Sequence, residues 1–279
     1  MERQAVLDIL HSDRFRDQSP AAVYATLLDE GTYHASISTF YRILRQEGEA
    51  RERRSQATHP PRVKPELLAQ RPREVWSWDI TKIRGPEKWV YYYLYVLIDV
   101  FSRYVVGWLL ATKESADLAK ELIAESVRRE GIVANTLTIH SDNGPSMASK
   151  PVAFLLADLG VTKSHSRPHT SNDNPFSEAQ FKTLKYRPDF PERFNSVEQA
   201  RAFCQDFFAW YNDEHHHSGI GLLTPATLHT DRADEALEHR ARVLAAAYES
   251  HPERFVNGLP LPPAVPSRTW INQPNDVAG

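Results

Sequence analysis

Three acidic residues, each in a distinctive local sequence, could together perform metal-dependent chemistry on phosphodiesters. Asp79 lies in W-S-W-D-I-T, Asp142 lies in H-S-D-N-G-P, and Glu178 follows Pro175. Carboxylates that are brought together repel one another and are costly to bury unless cations hold them. Oxygen ligands with open positions suit Mg²⁺ that also binds phosphates. Two such ions about 3.5–4 Å apart can activate an attacking oxygen and stabilise a leaving one.

Local sequence places two of these acids on strands and the third on a helix. The apolar run from residue 137 to residue 139 predicts a buried strand that ends at Asp142, before a turn that Gly144 and Pro145 impose. Alternating β-forming residues from 74 to 83 predict a strand that carries Asp79. Glu178 lies in a predicted helix that begins at Pro175. The predicted apolar side of that helix comprises Phe176, Ala179, Phe181 and Leu184.

The spacing and surroundings of the acids resemble those of DDE transposases and retroviral-type integrases. Between Asp142 and Glu178 lie 35 residues (178 − 142 − 1), which is the spacing of that superfamily. The chain resembles more closely the second-frame product (OrfB) of bacterial insertion sequences in which two reading frames are fused by frameshifting. The resemblance covers roughly residues 1–230. The motifs that carry it are Trp78-Asp79-Ile80-Thr81, His140-Ser141-Asp142-Asn143-Gly144, Ser166-Arg167-Pro168, Asp173-Asn174-Pro175, Thr183-Leu184-Lys185-Tyr186 and Trp210-Tyr211-Asn212.

This resemblance implies a fold and a reaction. The expected fold is α/β, a ribonuclease H-like mixed sheet flanked by helices, with the strand of Asp79 beside that of Asp142. Asp79, Asp142 and Glu178 are the expected catalytic residues and the ligands of two Mg²⁺ ions, for which Mn²⁺ can substitute. The implied reaction cleaves insertion-sequence ends and joins the freed 3′-OH to DNA. The implied partners are terminal inverted repeats, target DNA, further copies of the chain on paired ends, and a first-frame (OrfA) region.

Basic residues near the acids are the expected DNA contacts of the core. Lys182 and Lys185 share a helix side with Glu178, and Lys185 matches the basic residue that the family carries seven positions after its glutamate. The polar loop from residue 164 to residue 174 contains Arg167 and His169 and leads directly into this helix. We expect it to act as a mobile DNA clamp.

The first 50 residues predict a helix-turn-helix domain that is entirely α-helical. Ser19-Pro20 starts one helix, and either Ser36 or Ser38 caps the next. The second helix is placed to enter a major groove. Its predicted DNA contacts are Ser38, Thr39, Arg42 and Arg45. A plain helical hairpin that packs on the catalytic domain is the alternative interpretation.

The rest of the chain predicts a linker, a catalytic core and a tail. Residues 51–73 are rich in proline and basic residues, and we expect Arg53 and Arg54 to follow a phosphate backbone, although a merely solvated linker is equally compatible. Residues 74–230 form the predicted ribonuclease H-like core. Residues 231–279 form a predicted helix followed by an extended tail whose role the sequence leaves open.

Composition limits the classes of protein that the chain can belong to. Its 279 residues carry 33 basic and 36 acidic side chains, so DNA binding must come from local basic patches. Cys204 is the single cysteine, which excludes an intramolecular disulfide and a cysteine-based zinc cluster. We find no apolar run of membrane length and no signal peptide, and expect a cytoplasmic, nucleoid-associated protein without a membrane partner.

Two other functions are compatible with these features. A catalytically inactive helix-turn-helix regulator derived from a transposase would bind DNA without needing Mg²⁺. A ribonuclease H-like nuclease that does not transpose would cleave strands without joining them, and it would have no use for the helix-turn-helix. The three intact acids favour the transposase interpretation over the inactive regulator.

Overall fold

The computed structural model describes residues 2–49, 64–142, 146, 149–167 and 173–274. The chain divides into two compact units, Met1–Pro61 and Arg62–Gly279. Each unit has a hydrophobic core of its own.

The first unit contains three helices, α1 (Glu2–His11), α2 (Pro20–Asp29) and α3 (Ile37–Gln46). Ser19 caps α2, since its side chain accepts a hydrogen bond from the Ala22 amide, and Ser36 caps α3 in the same way. The cap of the second helix is therefore Ser36 rather than Ser38. The helices enclose a core that includes Leu10, Val23, Phe40 and Leu44. Three helices in this region confirm the predicted all-α domain.

A five-stranded mixed sheet forms the centre of the second unit. Its strands are β2 (Val75–Arg84), β3 (Tyr91–Asp99), β4 (Val105–Ala111), β5 (Thr138–Ser141) and β6 (Thr162–His165). Their order across the sheet is β4-β3-β2-β5-β6. The first three strands are antiparallel, whereas β5 runs parallel to β2 and β6 runs parallel to β5. This is the ribonuclease H-like order, and it confirms the predicted fold class.

Helices cover both faces of the sheet because residues of each strand point alternately to opposite sides. On one face, α4 (Ala116–Arg129) and α5 (Lys150–Asp158) pack in a core with Trp76 and Trp78. On the other face, α6 (Pro175–Lys185) and α7 (Val197–Asp213) pack in a core with Ile83 and Val96. Two more helices follow, α8 (Pro225–His229) and α9 (Ala233–Ser250).

A two-stranded sheet joins segments that were predicted to be a linker and a tail. Strand β1 (Leu67–Ala69) pairs antiparallel with β7 (Thr269–Ile271). Ala69 and Ile271 are fully buried in the same apolar cluster. The structure thus differs from the predicted domain boundaries, because residues 64–73 and much of the segment after 231 pack within the second unit. Strands of three residues show no periodicity, so the local sequence does not predict them.

Close packing between β4 and α4 gives a testable prediction for stability. A Cβ atom at Gly107 would collide with the Ser126 hydroxyl and approach Leu122 to 3.2 Å. Gly107→Ala should therefore destabilise the protein by about 1–3 kcal/mol. The Ser126 hydroxyl is buried without a hydrogen-bond partner among the described residues. The double variant Gly107→Ala, Ser126→Ala should regain most of the lost stability, as measured by urea unfolding. If the two substitutions instead change the free energy of unfolding additively, this packing is contradicted.

Candidate active site

Pairing of two parallel strands brings the first two acids together. The pairing of β2 with β5 ends at Trp78 and Ser141, and Asp79 and Asp142 each follow by one residue. Neighbouring strands lie about 4.8 Å apart. The topology of the sheet therefore places both carboxylates at the same edge, although 62 residues (142 − 79 − 1) separate them in the sequence.

A buried hydrogen-bond cluster attaches the helix of Glu178 to β2. The Ser77 hydroxyl lies 2.5 Å from the Ser177 hydroxyl and donates to the side-chain oxygen of Asn174. The Asn174 amide nitrogen in turn donates to the Trp78 carbonyl at 3.3 Å. Ser77, Asn174 and Ser177 are all fully buried. Because Ser177 precedes Glu178, and Ser77 shares a strand face with Asp79, this cluster holds the third acid beside the first.

This cluster also corrects the predicted orientation of α6. Ala179, which was predicted to face the core, is exposed, while Ser177 and Gln180 are buried with Phe181 and Leu184. The prediction was wrong because it counted only apolar residues, whereas the start of this helix is held by hydrogen bonds between polar side chains. The sequence signal that was available is N-P-F-S, in which two polar residues flank the first turn.

The other end of α6 is also attached to β2. The Lys185 ammonium group donates to the Thr81 hydroxyl at 2.6 Å. Burial lowers the pKa of Lys185, and the charge of Asp79 opposes that shift. Lys182, one turn earlier, is exposed. The helix is therefore attached to β2 near Glu178 at one end and through Lys185 at the other, while Lys182 faces solvent.

A buried histidine orders the residues around Asp142. His140 is fully buried, and burial lowers its pKa, so its imidazole is neutral at pH 7. One ring nitrogen, Nε2, lies 2.8 Å from the Asp173 carbonyl, and the other, Nδ1, lies 3.1 Å from the Ser164 hydroxyl. Since a carbonyl only accepts, Nε2 carries the proton. Ser166 donates to Asp142 at 2.6 Å, which connects this group to the second acid.

Asp173 fastens the segment before α6 to the nearby Arg167 and to the distant Asn272. Its buried carboxylate accepts hydrogen bonds from Nε and Nη2 of Arg167, both at 3.0 Å, and from the Arg167 amide at 2.9 Å. Asn272 donates to it at 2.8 Å and also to the Pro65 carbonyl at 3.1 Å. The Arg167 side chain is the main cause that lowers the pKa of Asp173 to about 2. Asn272, 99 residues away in the sequence, offered no local signal that it belongs here.

The other residues predicted to contact DNA fall into three groups. Ser38, Arg42 and Arg45 are exposed on α3, and Thr39 is half-buried there, so all four belong to the first unit. The guanidinium group of Arg167 donates two hydrogen bonds to the Asp173 carboxylate. Arg53, Arg54 and His169 lie outside the residues that the structure describes. All of these DNA contacts stay predictions.

The charges of Asp142 and Glu178 both act on Asp79. The pKa of Asp79 is raised to about 7, mainly by burial; the charges of Asp142 and Glu178 also raise it, whereas the Ile80 amide and Lys185 lower it. Among the described residues, no three Asp, Glu, His or Cys side chains are already grouped closely enough to hold a metal ion. The acids form an open cluster whose side chains would have to close around a cation. Carboxylate oxygens that repel one another are a donor set that fits a hard divalent cation.

Comparison with protein families agrees with this arrangement. Residues 69–171 match a family model described as an integrase core domain, and residues 159–225 match a second model with the same description. The region from residue 69 to residue 225 therefore belongs to the integrase core domain family.

Two curated relatives are insertion-sequence transposases. The transposase for insertion sequence element IS904 of Lactococcus lactis is 31% identical over 161 residues, which are 56% of this chain and 61% of that protein. Transposase InsF for insertion sequence IS3A of Escherichia coli is also 31% identical, over 57% of this chain and 55% of that protein. The matched region thus spans less than two thirds of either relative.

A solved structure is also similar to this chain. The HTLV-2 integrase catalytic core domain in complex with magnesium is 19% identical in its trimeric form, covering 57% of this chain and 97% of that chain at a TM-score of 0.42.

None of the helices in the described part of this chain is long and apolar enough to cross a membrane.

The raised pKa of Asp79 predicts how stability depends on pH without divalent cations. Because Asp79 retains a proton in the folded protein that it releases in the unfolded chain, its contribution to stability should fall as pH rises from about 4 to about 7. Asp79→Asn removes this effect. The free energy of unfolding of Asp79→Asn, relative to that of the wild type, should increase by roughly 1 kcal/mol per pH unit between about pH 5 and about pH 7. Urea unfolding in EDTA measures it, with Asp206→Asn as an exposed control, and an advantage independent of pH would contradict the coupling.

Arg167 offers a second test, which separates a structural role from a DNA contact. Arg167→Ala should lower the melting temperature of the free protein by several degrees, because it removes two side-chain hydrogen-bond donors and a positive charge from a buried carboxylate. The exposed Lys182→Ala variant should leave the melting temperature unchanged. If Arg167→Ala melts like the wild type and only binds DNA more weakly, its structural role is refuted.

Proposed function

We propose that this protein is a DNA transposase that cleaves the ends of an insertion sequence and joins the freed 3′-OH to DNA. The observation that carries this proposal is the convergence of Asp79, Asp142 and Glu178 from two strands and a helix. The integrase core family and the two insertion-sequence relatives support the same reaction class. The substrates would be terminal inverted repeats and target DNA.

We assign the three acids as the ligands of two Mg²⁺ ions, for which Mn²⁺ can substitute. When bound, such ions supply Lewis-acid activation of an attacking oxygen and neutralise charge on the leaving oxygen. The chain's own contribution is to hold the carboxylates at one edge of the sheet. Asp79 must give up its proton to act as a ligand, and its raised pKa therefore makes the assembly of the site dependent on pH.

The cations of α6 would hold the DNA strand beside these acids. Lys182 is exposed, and Lys185 is fixed by Thr81 on the same side of the helix as Glu178. Contacts to phosphates fix the position of a strand without reading its sequence. Sequence recognition would fall to the first unit, where α3 presents Ser38, Arg42 and Arg45.

We further propose that the chain acts as an oligomer on paired DNA ends and together with a first-frame region. Each copy of the chain carries one three-acid site, so two ends that react together would bring at least two copies of the chain together. A first-frame partner would supply additional DNA recognition and assembly, as the resemblance implies.

A strand-joining assay tests the proposed function. A labelled duplex that carries the terminal repeat is incubated with the wild type or with Glu178→Gln, in Mg²⁺ or in EDTA. We expect joining by the wild type only in the presence of metal, and at least a ~100-fold loss in Glu178→Gln, because a carboxylate that should ligate the ions becomes a neutral amide. Glu238→Gln, an exposed acid on α9, is the matched control and should keep full activity.

Other outcomes of this assay point to the other functions. Cleavage without joining would identify a nuclease. Binding of the end without either reaction would leave an inactive regulator or a chain that requires its first-frame partner. Repeating the assay with the fused form separates these two, since only the second would become active.

A further inference from the structure

The hairpin between β2 and β3 carries an unusual surface of aromatic and basic side chains. We define the hairpin surface as Lys82, Lys88, Trp89, Tyr91 and Tyr93. Trp89 is 76% exposed, although indole rings are normally buried. Its φ of 74° lies in the left-handed region, which a bulky aromatic residue rarely adopts. Strained backbone that holds a large apolar ring in solvent is a feature that binding sites retain.

The tip of the hairpin is held rigidly by its surroundings. The Gly85 amide donates to the Val90 carbonyl at 2.9 Å. Arg193 donates to the carbonyls of Gly85 and Glu87, at 3.2 and 2.9 Å. These bonds cross the tip from a different part of the chain, so the position of Trp89 is set before any ligand arrives.

Cations lie over the aromatic rings of the hairpin surface. The Lys82 ammonium group is 5.4 Å from the centre of the Tyr93 ring and 6.0 Å from that of Tyr91. The Lys88 ammonium group is 5.3 Å from the Trp89 ring. Both lysines are exposed, so their charges face solvent. Aromatic faces beside cations suit a ligand with flat rings and negative charges.

The charge of the hairpin supports a polyanion rather than a protein partner of mixed charge. Near the tip, Arg84 is paired with Glu192 at 3.4 Å. Among the side chains from residue 82 to residue 88, Lys82, Arg84 and Lys88 outnumber Glu87, although the whole chain carries a net charge of −3. The hairpin surface is thus a local basic patch on an acidic protein.

The hairpin surface lies at the same end of the sheet as the three acids. Strand β2 pairs with β5 only up to Trp78, and it continues past Asp79 to Arg84. Lys82 is three residues beyond Asp79 (82 − 79), which is roughly 10 Å along the strand at about 3.3 Å per residue. Because side chains alternate, Lys82 points to the opposite face of the sheet from Asp79, and DNA would reach it past the side of β2 that lies beyond the β5 pairing. A DNA strand whose phosphate lay at the acids would reach the hairpin within a few nucleotides.

We propose that the hairpin surface binds unpaired nucleotides of the DNA strand that enters the three-acid site. Trp89 stacks on an exposed base, and Lys82 and Lys88 contact the neighbouring phosphates. Unpaired bases are the ligand because paired bases expose their faces only at the end of a duplex. This inference rests on the proposed function, and it adds a preference for DNA ends that have opened.

Binding measurements with two DNA forms test the inference. Fluorescence anisotropy compares the full chain on a terminal-repeat duplex with three unpaired nucleotides at its end and on the same duplex fully paired. We expect the wild type to bind the opened form more tightly, and Trp89→Ala to weaken that binding about tenfold with little change for the paired form. Trp89→Phe should retain the preference. Phe154→Ala, which removes an aromatic residue that is 69% exposed on α5, is the matched control and should change nothing.

The two lysines have a different expected effect. Lys82→Ala and Lys88→Ala should each reduce the slope of log K against log salt by about 0.7–0.9, which corresponds to one lost phosphate contact. Trp89→Ala should leave that slope unchanged, since stacking releases no counterions. This difference separates stacking from a general loss of folding, which would affect both.

The outcomes distinguish failure of the inference from failure of the proposed function. If the wild type prefers the opened form and Trp89→Ala keeps that preference, the stacking site is refuted while the transposase proposal stands. A wild type that binds neither DNA, either alone or fused to its first-frame region, refutes both. If Trp89→Ala binds DNA normally but changes the apparent mass in sedimentation, the hairpin contacts another protein chain and the inference is wrong.

Discussion

The buried contact between Ser77 and the start of α6 is the interaction on which the arrangement of the acids depends. Asp79 and Asp142 are placed by strand pairing, but Glu178 belongs to a helix that could slide or rotate on an apolar sheet. Hydrogen bonds from Ser77 to Asn174 and Ser177 remove that freedom. Polar groups buried this completely are costly unless each finds its partner, so only one position of the helix satisfies them.

Holding the three carboxylates in these positions is electrostatically unfavourable. Burial and two neighbouring acids raise the pKa of Asp79, which means that the protein bears a cost when all three carboxylates ionise without a cation. Other contacts hold the surrounding segments in place: Asp173 is held by Arg167 and by Asn272, and Asn272 also bonds to Pro65 beside the β1–β7 sheet. The segment that leads into the helix of Glu178 is thus held in part by Asn272, which follows β7.

Strand β2 combines buried residues that support the fold with residues that are available for binding. Its buried residues serve the two cores, its central acid belongs to the site, and its outer end carries a rigid hairpin with an exposed indole ring. One strand therefore connects the packing of the domain, the carboxylate cluster and a basic aromatic surface. This continuity explains how a chain with an acidic net charge can present cations where a phosphate backbone would run.

Much of the fold and of the candidate site follows from the sequence alone, because strands, caps and acids carry local signals. The periodicity around Asp79 and Asp142, the cap at Ser19 and the first turn at Pro175 are each defined within a few residues. The pairing of those two strands came from family resemblance, since periodicity gives only an α/β class. Only the tertiary structure revealed the inward side of α6, the three-residue strands β1 and β7, and the bond between Asn272 and Asp173. Those features depend on contacts between residues far apart in the chain, and local pattern carries no information about such contacts.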